Sequence, residues 1–373
     1  MKDPRYEKLA QFLVNYSVRV QPGEKVMVNS SIAVPEEFDA ELVKAIGEAG
    51  GIAFMQTYKN KVARMETFYA TKELFQARLK YDLQKLKDMD CSIGINGIEN
   101  SADWSDTPKE TKELGKEYYG KYTRDIIVDN AKWCGTYWPT PAFAQMANMP
   151  TEAFEDFFFD VVLLDYKKLK EGELILIDRM NQTDKVHILG PNDTDLTFSI
   201  KDIPAVGCWG DRNIPDGEVY TAPVRNSVNG VIQYNCPTTA DGKPVDDVRF
   251  VFKDGKIVEE SGSDIDAIRA VINDDEGARY IGEFSLGVNP KIKKPMRNIL
   301  FDEKISGSIH LTPGRAYKEA YNGNNSNQHW DLVMIQTPEY GGGEIWFDDE
   351  LIRKDGIFVP DYLKPLNPDN FDI

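Results

Sequence analysis

The sequence predicts an α/β N-terminal domain with a parallel sheet, followed by a β-rich α+β C-terminal domain. Three observations carry that prediction. Across residues 1–170, short apolar runs alternate with amphipathic helical stretches, the pattern of a parallel sheet covered by helices. From residue 171 to 373 the texture changes to alternating segments broken by frequent turns. The length, 373 residues of which 41% are hydrophobic, suits roughly two to three domains with a sizeable buried core.

The elements follow in order. Asp3 and Pro4 mark a helix start, an N-cap carboxylate followed by proline in the first turn, and Leu9, Phe12, Leu13 and Tyr16 give its apolar face. A strand is predicted over 25–29 (KVMVN). A helix follows from Pro35, with Phe38, Leu42, Val43 and Ile46 inward and Gly50-Gly51 as its stop. A second strand spans 52–58, a charged helix 74–86, a third strand 91–95 (CSIGI) and a fourth 125–129 (DIIVD). The turn after the first strand, SSIAVP, has neither GxGxxG nor a phosphate-loop lysine, so the sheet is read as scaffold rather than nucleotide site. WCGTYWPTPAF, residues 133–143, reads as a rigid packed turn, with a substrate wall as the sharper alternative. Thr151 caps a helix through Phe154, Phe157, Phe158 and Val161 that bridges to the second domain.

The run 173–184 fits strand or helix; its ILI triplet does not decide. Beyond it, VHILGPNDTDLTFSI, VNGVIQYN and VRFVFKDGKIVEES read as strands, the last with a hairpin at Asp254-Gly255. One helix is predicted over 264–273. His187, between Val186 and Ile188 in a strand, is read as structural. The tail PLNPDNFDI is an ordinary polar end.

A net charge of −17 argues against nucleic acid and anionic membrane as partners. Cys91, Cys134, Cys208 and Cys236 are widely spaced, without CxxC, and read as packed free thiols of a reducing compartment. The N-terminal run MKDPRYEKLAQFL lacks an apolar signal core, and no stretch is long and apolar enough to span a bilayer. The expectation is a soluble, cytoplasmic protein.

Chemistry concentrates in residues 302–331, DEKISGSIHLTPGRAYKEAYNGNNSNQHWD. This stretch holds His310 and His329, the carboxylates Asp302, Glu303 and Asp331, and the phenols Tyr317 and Tyr321. Its glycines, serines and asparagines predict loop rather than helix. Imidazole and carboxylate are ligands that zinc and similar divalent ions accept. A surface loop with a satisfied histidine at each end is the bland alternative. Two further acids join it: Glu218, after a Pro-Asp-Gly turn at a strand start, and Glu283, between glycines that leave room around its carboxylate.

Four ordered motifs then resemble a known family. They are Asn213-x-Pro215-Asp216-Gly217-Glu218-Val219-x-Thr221-Ala222-Pro223, Gly282-Glu283-Phe284-x-Leu286-Gly287, Asp302-Glu303-Lys304 leading to His310, and Asn324-x-Ser326-x-x-His329-Trp330-Asp331. Together with Gly190–Leu196 and Pro139-Thr140, they look like the thermophilic aminopeptidase family, the dimetal metallopeptidases of the aminopeptidase T and aminopeptidase S type. The resemblance implies an enzyme that removes N-terminal residues from peptides with a free amino terminus. Its implied cofactors are two divalent metal ions, zinc, cobalt or manganese, and its implied state a homodimer. By motif position it implies Glu218, Glu283, His310, Tyr317, His329 and Asp331 as metal ligands. Catalytic roles fall on Glu283 and on Tyr317, which would ligate metal or donate to the oxyanion. One departure is visible: Lys304 stands where the family's bacterial enzymes have asparagine, and His310 lies further along. Another two-metal hydrolase, a dipeptidase or amidase, is the runner-up, and a metal-free dimeric binding module the non-enzyme reading.

Overall fold

A computed structural model describes residues 3–240 and 242–371, so the first two residues of the N-terminal run and the last two of the polar tail lie outside the described residues. The chain divides into two compact units, one reaching to Leu164 and taking in Gly210–Ile214, the other formed by Asp165–Trp209 and the chain from Pro215 onward.

The first unit is built on a five-stranded parallel sheet. Its order is Ile52–Tyr58, Lys25–Ser31, Cys91–Asn96, Lys132–Tyr137 and the two-residue strand Asn213–Ile214. The two strands at its heart bury Val26, Val28, Cys91, Ile93 and Ile95 completely on one face, while Met27 and Ser92 are buried on the other and Asn29 and Gly94 only partly so. Pro4–Phe12 begins with the Asp3 carboxylate accepting from the Arg5 amide at 2.8 Å. Glu36–Glu48 ends where Gly50 takes φ +78 and the Gly51 amide returns to the Ile46 carbonyl at 2.9 Å. The helix Lys72–Leu86 starts from a Thr71 side-chain cap.

Four expectations for this unit are corrected. Residues 125–129 are not a strand but the end of the helix Lys121–Asn130. Ile126 and Ile127 pack there against Met27, Leu86 and Met89, while Val128 is left exposed. The fourth strand is instead Lys132–Tyr137, so the tryptophan-rich run read as a turn is strand and then the helix Pro141–Met146, capped by Thr140. Val43 faces outward from its helix. Pro150, which offers no side-chain bond, takes the N-cap position of Thr151–Val162, and Thr151 is that helix's first residue.

In the second unit the undecided run 173–184 is helix for most of its length, within Tyr166–Asn181. An eight-stranded antiparallel sheet follows, running Lys256–Ser261, Arg249–Lys253, Asn229–Gln233, Asp195–Ser199, Lys185–Leu189, Glu344–Phe347, Glu350–Lys354 and Ile357–Phe358. Asp254 and Gly255 both have positive φ, +50 and +84, as their hairpin requires. A second, five-stranded antiparallel sheet has the order Leu332–Ile335, Ser308–Pro313, Ile281–Gly287, Glu218–Thr221, Val206–Cys208. Its central strands are buried along their whole length.

Alternation in this second sheet sorts its residues by chemistry. Tyr220, Ser285 and His310 are register partners in one row, Glu218 pairs with Gly287 and Glu283 with Thr312. Partners across an antiparallel pair share a face, so Glu218, Tyr220, Glu283, Ser285, His310 and Thr312 share one face. Val219, Phe284, Leu286, Ile309, Leu311 and Met334 fall on the other, where the Phe284 ring meets Phe198 of the larger sheet at 5.0 Å. One sheet thus has an apolar face that holds it in the core and a polar face shut away from water.

Candidate metal centre

Two backbone constraints aim the glutamates. Glu218 follows Gly217, whose φ of +123 and contact with Asn289, 3.0 Å from where a Cβ would sit, admit only glycine. The Asn289 amide group holds the turn by donating to the Asp216 carbonyl at 2.7 Å. Glu283 follows Gly282, where a Cβ would lie 2.3 Å from the Gly314 carbonyl oxygen. The glycines therefore do not open space around Glu283, as the sequence suggested; they let the backbone pack tightly, and Glu283 is only 3% exposed.

The histidines meet this glutamate from two sides. His310 Nε2 lies 3.0 Å from Glu283 Oε1 and 3.3 Å from Glu218 Oε2. His329 Nε2 lies 3.3 Å from Glu283 Oε2 and 3.4 Å from Asp331 Oδ1. His329 donates from Nδ1 to the Arg315 carbonyl at 2.8 Å, which fixes the tautomer and turns the lone pair of Nε2 toward the acids. Ser285 Oγ, 3.0 Å from Glu218 Oε2, and Thr312 Oγ1, 2.7 Å from Asp331 Oδ1, orient the other two carboxylates. Three groups of donors have their atoms within 4.8 Å of one another: Glu218, Glu283 and His310; Glu283, His329 and Asp331; Glu303, His310 and Asp331. Glu283 belongs to the first two.

This arrangement fits divalent metal. Glu283 Oε2 and His329 Nε2 are buried and have no hydrogen-bond partner, a costly state that a cation between such donors would relieve. Without a cation, protons do that work. Burial opposes the charged form of both rings, yet Glu218 and Glu283 raise His310 to about 9, and Asp331 and Glu283 raise His329 to about 10. Glu283 moves the other way: burial pushes it up, but the two histidines together hold it near 2, so it stays ionised.

Lys304 was legible only as a departure from the family motif, and it lies inside the cluster. It is fully buried, its Nζ 2.7 Å from Glu218 Oε1, in contact with Glu303 and 3.9 Å from Asp216 Oδ1. Glu303 is pushed up to about 8 by burial, against the pull of Lys304. Cys208, Asp216 and Glu218 form a fourth group, but burial and then Asp216 and Glu218 hold the Cys208 thiol protonated and so a poor ligand. The sequence offered no signal for Ser285 or Thr312 beyond strand alternation.

The remaining candidates separate. The Tyr317 ring packs on His329 at 4.6 Å and on Tyr220 at 5.6 Å, at the rim of the cluster and 42% exposed. Burial, then Glu283 and Asp331, hold its hydroxyl well above the usual phenol range. Asp302 is not in the cluster: it accepts from the Met296 and Asn298 amides, and burial pushes it up to about 7. Tyr321 is exposed and receives a bond from Asn325. His187 pairs with Asp195 at 2.8 Å on the larger sheet, away from these groups. The bland reading of 302–331 fails, since His310 sits mid-strand and 1% exposed.

Similarity to known proteins follows this geometry. The family model described as thermophilic metalloprotease (M29) matches residues 2–345. Aminopeptidase 2 of Geobacillus stearothermophilus is 23% identical over 83% of this chain and 83% of its own. The solved structure of wild-type AmpT from Thermus thermophilus superposes with a TM-score of 0.80 at 20% identity, over 95% of this chain and 99% of that one. That of 2,5-dihydroxypyridine dioxygenase from Pseudomonas putida reaches 0.61 at 15% identity, over 96% and 98%. A fold shared by enzymes so named does not choose the chemistry; the family match does. The chain belongs to the thermophilic metalloprotease (M29) family and is a peptidase, a hydrolase acting on peptide bonds.

Proposed function

We propose that this chain is a metal-dependent aminopeptidase that cleaves the first peptide bond of peptides with a free amino terminus, using two divalent ions. The single observation that carries the reading is Glu283, whose two carboxylate oxygens face different histidines. Glu218, Glu283 and His310 would hold one ion, and Glu283, His329 and Asp331 the other. Zinc, cobalt and manganese all suit this donor set. When bound, such ions acidify a water and polarise the scissile carbonyl.

The chain's own residues do the rest. Ser285 and Thr312 fix the carboxylate rotamers, and the Arg315 carbonyl fixes His329. Glu303, with its carboxyl near 8, can take a proton at Oε and return it to a leaving amine at neutral pH, whereas Glu283, held ionised, is a ligand rather than a proton carrier. The Tyr317 hydroxyl, kept protonated at the rim, can donate to a developing oxyanion. Residues 171–373 act as the catalytic domain and 1–170 as its α/β neighbour. Four free cysteines accord with a reducing, cytoplasmic setting, and the family resemblance with a homodimer. No helix among the described residues is long and apolar enough to cross a membrane.

The test is a mass-spectrometric time course on a peptide of about ten residues, free and N-acetylated, where loss of a positioning contact typically costs on the order of 10²-fold or more. Sequential shortening of the free peptide alone is expected. Internal fragments, or equal rates on the two peptides, contradict the reading.

A further inference from the structure

The two halves of the cluster are not electrostatically alike. Glu218 reaches His310 and Ser285 through Oε2, but its Oε1 is 2.7 Å from the Lys304 ammonium. Lys304 has no exposure at all and touches three acids, Glu218, Glu303 and Asp216, so its charge is fixed in place. Among the described residues, no lysine or arginine pairs with Glu283 or Asp331 in the other half, where the neighbours are His310, His329, Thr312 and, within 4.8 Å of Asp331, Glu303. Glu283 serves the two halves alike, so it cannot discriminate between them. The difference lies in Lys304.

We propose that Lys304 is a built-in counter-cation that makes the two metal positions unequal, so that the Glu283–His329–Asp331 half takes the first divalent ion and the Glu218–Glu283–His310 half loads far more weakly. This rests on the two-ion reading above. The physical reason has two parts. Lys304 already neutralises one of Glu218's oxygens, which lowers what that carboxylate can give a metal. It also places a unit positive charge, in a buried and therefore weakly screened site, against any second cation that Glu218 binds. Only Glu218 Oε2, beside His310 and Ser285, would be left free of the lysine to face that ion. The same lysine keeps a cluster of acids from repelling itself apart before any metal arrives, so Lys304 is a positioning residue for Glu218 and Glu303.

The experiment is isothermal titration of the full-length, metal-depleted protein with Zn²⁺, run beside elemental analysis at saturation, for wild type, Lys304→Met and Lys304→Arg. Lys304→Met keeps the length of the stem and drops the charge; circular dichroism checks that each variant folds. Two ions with affinities separated on the order of 10²-fold are expected for wild type, from a unit charge fixed within contact of one ligand in a weakly screened site. Lys304→Met narrows the separation at least tenfold by strengthening the second event, and Lys304→Arg retains it. Two ions of equal affinity in wild type, or a separation unchanged in Lys304→Met, overturns the role of Lys304 and leaves the two-ion reading standing. A single ion at saturation in all three proteins overturns that reading and this inference together. Should Lys304→Met fail to fold, equal affinities in wild type, or a separation lost in Lys304→Arg, still overturn the proposal.

Discussion

The two central sheets of this chain are both buried, yet they spend their burial differently. In the first unit the middle strands carry an apolar row on one face: the alternate residues Val26, Val28, Ile93 and Ile95 are packed out of water completely. In the second unit the sheet of Glu218, Glu283 and His310 is buried as thoroughly, but one face carries acids, imidazoles and hydroxyls. The first arrangement gains free energy from area removed from water. The second incurs the cost of desolvating charge, and holds together only because its groups satisfy one another or a cation. A sheet face that is dry and polar is therefore where function should be sought. The first unit also contains a groove of about 560 Å³, between its sheet and helices, where Arg78 pairs with Glu66 and the Tyr119 hydroxyl donates to Asp82.

That contrast can be broken by substitution. His329→Gln should lower kcat/KM by on the order of 10³-fold, the loss typical when a group facing developing charge is removed, with overall stability changed much less. A steady-state assay with a melting curve checks it; near wild-type turnover would mean that the polar face is structural. Phe38→Ala should behave in the opposite way. Phe38 is fully buried against Trp138 at 4.8 Å in the first unit, so truncation should cost about 3–5 kcal/mol of that unit's stability. Its metal content, read by elemental analysis, should not change.

A pH series sharpens the comparison further. In the metal-depleted protein His310 and His329 are raised to about 9 and 10 from an ordinary value near 6.5. A base whose folded value is raised contributes stability that is fully present below the unfolded value and is lost as pH rises through the folded one. Denaturation midpoints of the metal-depleted protein should therefore fall between pH 6.5 and 10. The metal-loaded protein should resist that fall, because a cation replaces the two protons, and metal affinity should rise with pH as those protons become easier to displace. Midpoints flat in pH for the depleted protein would show that the imidazoles are not charged there. The smallest effect is expected at His187, whose side chain is 39% exposed. His187→Gln should leave metal content unchanged and stability within about 0.5 kcal/mol.

How much of this could be read beforehand also differs between the two sheets. Glu218, Glu283, His310, His329 and Asp331 were legible as ordered motifs, and the structure brings all five together. Lys304 was seen, but that its amine turns inward onto Glu218 depends on tertiary packing that no local spacing encodes. Ser285 and Thr312 are ordinary strand residues until register pairs them with Glu218's neighbour Tyr220 and with Glu283. In the first unit, 125–129 misled because Ile126, Ile127 and Val128 suit a buried strand and a helix face equally; five residues are too few for periodicity to choose. The strand Lys132–Tyr137 was hidden by Trp133 within it and by Trp138, Pro139 and Pro141 just after it, read as one packed turn. Its Gly135, Thr136 and Tyr137 pair in register with Gly94, Ile95 and Asn96, a contact between segments about forty residues apart.

A metal centre organised by Glu283 on the buried polar face is what the proposed function requires. The most direct measurement is elemental analysis of wild type and Glu283→Gln after equal exhaustive dialysis, each paired with a peptidase assay. Wild type should retain divalent metal, lose activity when a chelator strips it and recover when it is returned, whereas Glu283→Gln should hold less metal and remain inactive on re-addition. Undiminished peptidase activity in wild type shown to be free of metal, or unchanged metal content in Glu283→Gln, would contradict it.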